Sequence, residues 1–268
     1  MLHASNLIYG KSLASFMTLE KGTLILVDYT AKIKDTSQVF ETTNEEEAKK
    51  SNIYDPDRRY GSRLISVGEG WVLKGVDEAL ANANSGDKLS ITVTPDKGFG
   101  EREPSKVRMI AQRKLGEKAD EVGVGDEIEL DQRRGTVRYI GSGRVQVDFN
   151  HKYAGRVLVY EANILKTVDS TAEKAFQLIN RRIPIDDKSI EIKSDVSTVE
   201  VRLPGESYLL EGLQIIKRAI AEDIFKFVKE IKTVYFIEEY KTTSESPAPL
   251  EQPKADEKVL EASENKTA

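Results

Sequence analysis

The sequence predicts an α+β protein of more than one unit, and three observations carry that expectation. Runs rich in β-formers, several alternating apolar with polar, recur between residues 22 and 94 and return at 156–166. Between them, residues 105–150 hold shorter β-like runs separated by glycines and charged turns. After residue 170 the order becomes helix, strand, strand, helix, strand. A length of 268 residues exceeds one average domain and leaves room for two or three compact units.

Residues 22–34 alternate as a strand, the polar turn at 35–37 breaks it, and 38–42 resume it. Residues 44–50 read as a short helix with Asn44 as cap, acids first and bases last. A loop from Asp55 to Gly61 leads to a short strand at 64–67, a helix at 76–83 ending near Gly86, and a strand at 88–94. The middle segment has strand-like runs at 106–111, 126–130, 135–140 and 144–149. In the last unit, 171–182 is a helix with Ser170 as cap, 189–193 and 198–203 are strands, and 233–239 closes as a strand. Apolar residues at 213, 216, 220, 224, 227, 228 and 231 predict an amphipathic helix over 213–231. From 241 to 268 large apolar side chains are scarce, which predicts disorder. Met17 reads as a natural start, with 1–16 an upstream extension; a flexible arm is the other reading.

Composition closes off much of catalytic chemistry. There are no cysteines, so disulfides, thiolate nucleophiles and zinc–cysteine sites are excluded, and only His3 and His151 could offer imidazole, which leaves little material for a histidine metal site or triad. No metal and no cofactor are expected. A net charge of −5 gives no reason to expect nucleic acid or an anionic membrane as partner, and residues 101–152 balance 11 bases against 10 acids. No run approaches the ~20 apolar residues of a membrane span, and the N-terminus lacks a basic, continuously apolar signal. A cytoplasmic location is the default expectation.

Four separated blocks carry a resemblance: VDYTAKIKDTSQVFETT (27–43), VGEGWVLKGVDEAL (67–80), TPDKGFGEREP (94–104) and LVYEANILK (158–166). In that order they resemble FK506-binding-type (FKBP) peptidyl-prolyl cis-trans isomerases. The late return of the last block, after Asn150-His-Lys-Tyr-Ala-Gly155, is similar to the SlyD and archaeal branches, and the third unit to their long-type archaeal members. The resemblance implies an antiparallel sheet around a short helix, interrupted by an inserted flap domain. The implied division is 1–19 extension, 20–104 plus 154–169 isomerase domain, 105–153 insert, 170–240 C-terminal α+β domain and 241–268 tail.

By resemblance, the prolyl pocket is formed by Tyr29, Phe40, Val72, Leu73, Phe99 and Tyr160, with Val76 as floor and Glu41 as the acid beside the aromatic wall. Phe40 and Phe99 would flank the prolyl ring, Tyr29 would orient the Glu41 carboxylate, and the Leu73 N–H would anchor a bound peptide. Trp71 covers the cleft edge or simply packs at the surface. Taken singly, such residues are ordinarily core; only the joint pattern makes a site. Gly68, Gly70 and Gly75 miss the spacing of a nucleotide loop and suit a turn and helix entry better. His151 reads as a structural residue at the domain junction.

Three departures from the family stand out. Glu41 replaces Asp, Phe99 replaces Tyr, and an aromatic expected near Ile65 is missing, with Arg63 and Leu64 beside it. The lost hydroxyl is worth about 0.5–1.5 kcal/mol. The cleft edge at Arg63 would be shallower or more basic.

The expected function is prolyl isomerisation of unfolded or proline-containing polypeptides, with chaperone activity in the insert. Val107, Met109 and Ile110 are client-binding candidates there, alongside Val122 and Val124; the competing reading, and the more common state for such residues, is that they form the insert's own core. The alternatives are a non-catalytic chaperone with a degraded cleft, or a ribosome-associated scaffold. The resemblance also implies a homodimer through the C-terminal domain, whose 213–231 helix would cover its own sheet or a second subunit.

Overall fold

The computed structural model describes residues 19–183 and 189–240. The expected extension before residue 19 and the disordered tail from 241 lie outside the described residues. Leu19 itself belongs to the fold rather than to an extension. Its side chain is buried and its N–H donates to the Ala83 carbonyl at 3.2 Å.

The first sheet is antiparallel throughout. β1 (Leu24–Ile33) lies beside β9 (Leu158–Thr167), which pairs on its other edge with β4 (Lys88–Val93). The free edge of β1 is shared by β3 (Arg63–Ser66) along residues 24–27 and by β2 (Val39–Thr42) along 30–32. α1 (Glu45–Lys50) follows β2, its Asn44 cap accepting from the Glu47 N–H at 2.9 Å. α2 (Lys74–Leu80) packs on the concave side, burying Val76 and Leu80 against Ile25, Val27, Ile91, Leu158 and Ile164. It starts two residues earlier than the apolar spacing predicts, because Leu73 leaves the helix as an extended cap.

The insert is a separate four-stranded antiparallel sheet in the order β5 (Val107–Ala111), β8 (Arg144–Asp148), β7 (Arg133–Gly141), β6 (Glu127–Leu130). Its core is small: Val137, Val145 and Val147, with Ile110, Ile128 and Phe149 packed against them. Gly135 makes room for it, since a Cβ there would sit 2.6 Å from Val147 Cγ1 and 2.8 Å from Phe149 Cδ1. The two chains of the neck are clamped together. Asn150 Oδ1 accepts from the Glu103 N–H at 2.9 Å while its amide nitrogen donates to the Glu103 carbonyl at 3.0 Å. The Gly155 N–H reaches the Gly100 carbonyl at 2.8 Å. Burial opposes charge on Asp148, yet bonds from Asn150 and the guanidinium groups of Arg102 and Arg138 hold its carboxyl below the usual range.

In the C-terminal unit β10 (Glu191–Ser194) pairs antiparallel and β12 (Thr233–Ile237) parallel with β11 (Thr198–Arg202). The parallel pair needs a crossover, supplied by α4 (Leu213–Phe227). α4 ends four residues before the predicted limit. Val228 and Ile231 remain buried from the turn that follows, so they continue the apolar spacing without continuing the helix. α3 (Thr171–Arg182), capped by Ser170, packs against α4 and β3. One core cluster runs from Leu178, Ile179, Ile220 and Ile224 into Leu24, Leu26 and Leu64 of the first sheet. Much of the apolar stripe of α4 is thus covered within the chain.

The isomerase sheet and the C-terminal unit should therefore unfold together. Leu178 is fully buried in the shared cluster, and Leu178→Ala should cost about 2–5 kcal/mol. In guanidinium titrations, fluorescence of the sole tryptophan and far-UV dichroism should shift to one lower, coincident midpoint. Separate transitions in the parent chain would refute a shared core.

Candidate functional site

A cleft of about 220 Å³ opens between α2 and the concave face of the sheet. Tyr29, Glu41, Trp71, Val72, Leu73, Val76, Phe99 and Tyr160 all line it, together with Val27, Ile65, Leu80 and Ala162. Phe40 stands beside it, its ring edge-on to Phe99 at 6.3 Å and to Tyr160 at 6.2 Å. β1 contributes Tyr29, β2 Phe40 and Glu41, β9 Tyr160, and the short helical turn at Pro95–Lys97 delivers Phe99. A larger hollow of about 880 Å³ shares Tyr29 and Ala162 with this cleft and is lined otherwise by Asp28, Thr30, Lys88, Ser90, Glu161 and Asn163 among others. It is open and mixed in character, and desolvation chemistry favours the smaller apolar cleft.

The loop that presents Val72 and Leu73 is held from below. Asp77, buried in the first turns of α2, accepts from the Gly68 N–H at 2.7 Å and the Gly70 N–H at 2.9 Å. Both glycines lie in the left-handed region, φ 72° and 68°, which a side chain would strain. They serve a turn and a helix entry, as their spacing predicts. Leu73 caps α2, and the amides at the start of a helix have no carbonyl within it to bond.

The Tyr29 hydroxyl donates to Glu41 Oε1 at 2.7 Å, and Arg58 donates to the same oxygen at 3.0 Å. Burial first, and the neighbouring Glu41 carboxylate second, push the Tyr29 phenol well above its ordinary value, while the charge of Arg63 opposes this. Burial and Glu41, with a contribution from Tyr153, push the Tyr160 phenol up in the same way.

Two residues of the exit segment were not among the predicted site residues. Tyr153 packs on Phe40 with 4.5 Å between ring centroids, and His151 stacks on Phe99 at 4.1 Å. Burial and the Lys152 charge lower the His151 pKa. The signal lay in the motif at 150–155, which marks the insert boundary and also returns aromatics to the cleft. Trp71 does both things expected of it as alternatives. It lines the cleft, and it packs edge-on to Phe227 at 5.4 Å beneath the Arg181 guanidinium at 3.9 Å.

Of the insert candidates, Met109 is about half exposed and pairs across the sheet with Gln146, which pairs in turn with Tyr139, also half exposed. Val107 lies on the same face. Ile110 does not: strand alternation turns it to the other side, onto Val145 in the insert core, so it is corrected to a structural residue. Val122 also packs on that core, whereas Val124 is exposed. Among the described residues no group of three or more His, Cys, Asp or Glu is arranged to hold a metal, and no helix is long and apolar enough to cross a membrane.

The lining of the cleft is mostly aliphatic and aromatic. Residues 17–115 match the family model described as FKBP-type peptidyl-prolyl cis-trans isomerase, 122–153 the FKBP26 IF domain and 171–241 the FKBP26 C-terminal domain. The chain belongs to the FKBP-type peptidyl-prolyl cis-trans isomerases. It is 28% identical over 146 residues to the short-type peptidyl-prolyl cis-trans isomerase of Methanocaldococcus jannaschii, covering 54% of this chain and 92% of that one. To the FKBP-type 16 kDa isomerase of Escherichia coli it is 22% identical, covering 56% and 93%. The SlyD isomerase of Treponema pallidum is 27% identical, covering 48% and 75%.

The phenols give the cleft a pH signature. A folded-state pKa above the unfolded one adds stability that is complete below the unfolded value and lost as pH rises through the folded one. Stability should therefore hold to about pH 10 and decline above it. Urea titrations from pH 8 to 11.5 should show the decline, and Tyr160→Phe should make it shallower. A Tyr160→Phe curve with the full alkaline decline would contradict the assigned environment.

Proposed function

We propose that this cleft accelerates cis–trans interconversion of prolyl bonds in polypeptides, with the insert holding the client. Enzymes of this family act on proline-containing polypeptides. An X-Pro amide is held planar by resonance, behind a barrier of about 18–20 kcal/mol. At the transition state the amide is twisted and its charge separation reduced, so an apolar, water-poor cleft favours it over the planar form. Phe40 and Phe99 flank the prolyl ring, Val76 and Tyr160 form the floor and back wall, and Leu73 offers its N–H to the peptide backbone. The Tyr29–Glu41–Arg58 cluster closes the polar end without leaving an unpaired carboxylate in the wall.

The observation that carries this reading is convergence: side chains from positions as distant as 29 and 160 line one small apolar cleft. Client capture is supported by the outward row Met109–Gln146–Tyr139 on the insert, carried on a clamped neck beside the cleft. A client held there meets the cleft repeatedly, at an effective concentration set by the neck.

The two parts separate experimentally. Phe40→Ala should lower kcat/KM on a short prolyl peptide by about tenfold or more, a barrier change near 1.4 kcal/mol. Met109→Glu with Tyr139→Glu should leave that rate alone while slowing proline-limited refolding of a protein client. If Phe40→Ala and the parent chain accelerate both reactions equally little while suppressing aggregation, the protein is a chaperone without useful catalysis.

A further inference from the structure

The prolyl cleft does not end at Trp71. It continues into a second hollow of about 730 Å³ between β3 and α3, and Tyr29, Glu41, Ile65, Trp71 and Val72 line both. This extension has a different chemistry. Arg59, Arg63, Arg181 and Arg182 all face it, and among the described residues Glu41 is the one carboxylate in its lining. Glu41 is already engaged by the Tyr29 hydroxyl and by Arg58. Arg182 is held by Asp223 at 2.6 Å, and Arg59 donates to Asn180. Arg63 and Arg181 are in another position: among the described residues neither is paired with a carboxylate. Arg181 lies over Trp71, with 3.9 Å from its guanidinium carbon to the ring centroid. Arg63 is close enough to act on Tyr29 in the cleft wall. In a chain of net charge −5, this is a local excess of the opposite sign.

We propose that this arginine-lined extension is a flanking subsite that selects polypeptides carrying an acidic side chain a few residues from the proline. The proposal rests on the cleft being the prolyl site, because it assigns the chain leaving that cleft to the groove. Guanidinium groups bind carboxylates through a planar fork, and Arg63 and Arg181 stand exposed to an incoming chain. The subsite exists because the C-terminal unit is present. α3 supplies Arg181, Arg182, Gln177 and Asn180, so the isomerase sheet alone would present only half of it.

The test uses the full chain and labelled peptides with one Ala-Pro bond, carrying Glu, Gln or Lys two to four residues from the proline on either side. Affinity is read by fluorescence anisotropy and isomerisation by NMR exchange. Affinity for a Glu peptide should exceed that for its Lys counterpart by about three- to tenfold at low salt, with Gln between. That ratio should shrink at 0.5 M salt, where the screening length is only about 4 Å. Arg63→Gln should reduce the ratio and Arg63→Glu invert it; Arg181→Gln, which also removes the stack on Trp71, serves as the second site. Equal affinities for Glu and Lys peptides, or a preference unmoved in both single variants, would overturn the subsite. Loss of exchange on every peptide, with the affinity ratio intact, would instead count against the catalytic reading and leave the subsite standing.

Discussion

The buried carboxylate of Asp77 is the constraint on which the rest of the site depends. It reaches from α2 to the amides of Gly68 and Gly70, and in doing so bends the 66–73 loop so that Val72 and Leu73 face the sheet. Two charge-assisted bonds to backbone N–H groups are stronger than their neutral counterparts, and both partners are backbone atoms. The rim of the cleft is thereby tied to the helix that forms its floor, and the spacing between them is set by two hydrogen bonds from one side chain. Trp71, on the same loop, is carried outward to meet the C-terminal unit. A single anchored loop thus defines the cleft on one side and a domain contact on the other.

That arrangement explains how an apolar cleft survives as a cleft. A hollow lined by Val, Leu and Phe ordinarily collapses or fills. Here the opposing walls come from elements fixed by separate means: β1 and β9 by a long antiparallel ladder, α2 by the Asp77 bonds, and the Phe99 turn by the neck of the insert beside it. His151 and Tyr153 return from the insert onto Phe99 and Phe40, so the aromatic wall is built from both sides of the insertion.

Much of this was legible in the amino-acid order, for physical reasons that also mark where legibility ends. Period-two alternation located most strands of all three sheets, because a half-buried strand must alternate. The caps at Asn44 and Ser170 were readable because a side-chain oxygen three residues ahead of an orphan N–H is a local event. The end of α4 was not, since Val228 and Ile231 are buried from a turn and apolar spacing reports burial, not backbone conformation. Strand alternation puts Met109 and Ile110 on opposite faces, but which of them meets the insert core depends on pairing with β8, more than thirty residues away in sequence. The joining of Leu24, Leu26 and Leu64 to the C-terminal core was equally invisible: periodicity tells which face is apolar, not what covers it. The cleft residues were named through the four sequence blocks, and their meeting is a tertiary fact that no local pattern contains.

The reciprocal amide clamp between Asn150 and Glu103, with Gly155 bonded to Gly100, brings the entry and exit of the insert to the same point. Topologically this makes the insert a cassette: what lies beyond the clamp can vary in length and sequence without changing the path of β4 or β9. A binding module with closely spaced ends, grafted at residues 103 and 150, would inherit the same position over the cleft. Whatever the insert contacts and whatever the cleft does are then separable traits of one chain, free to change at different rates.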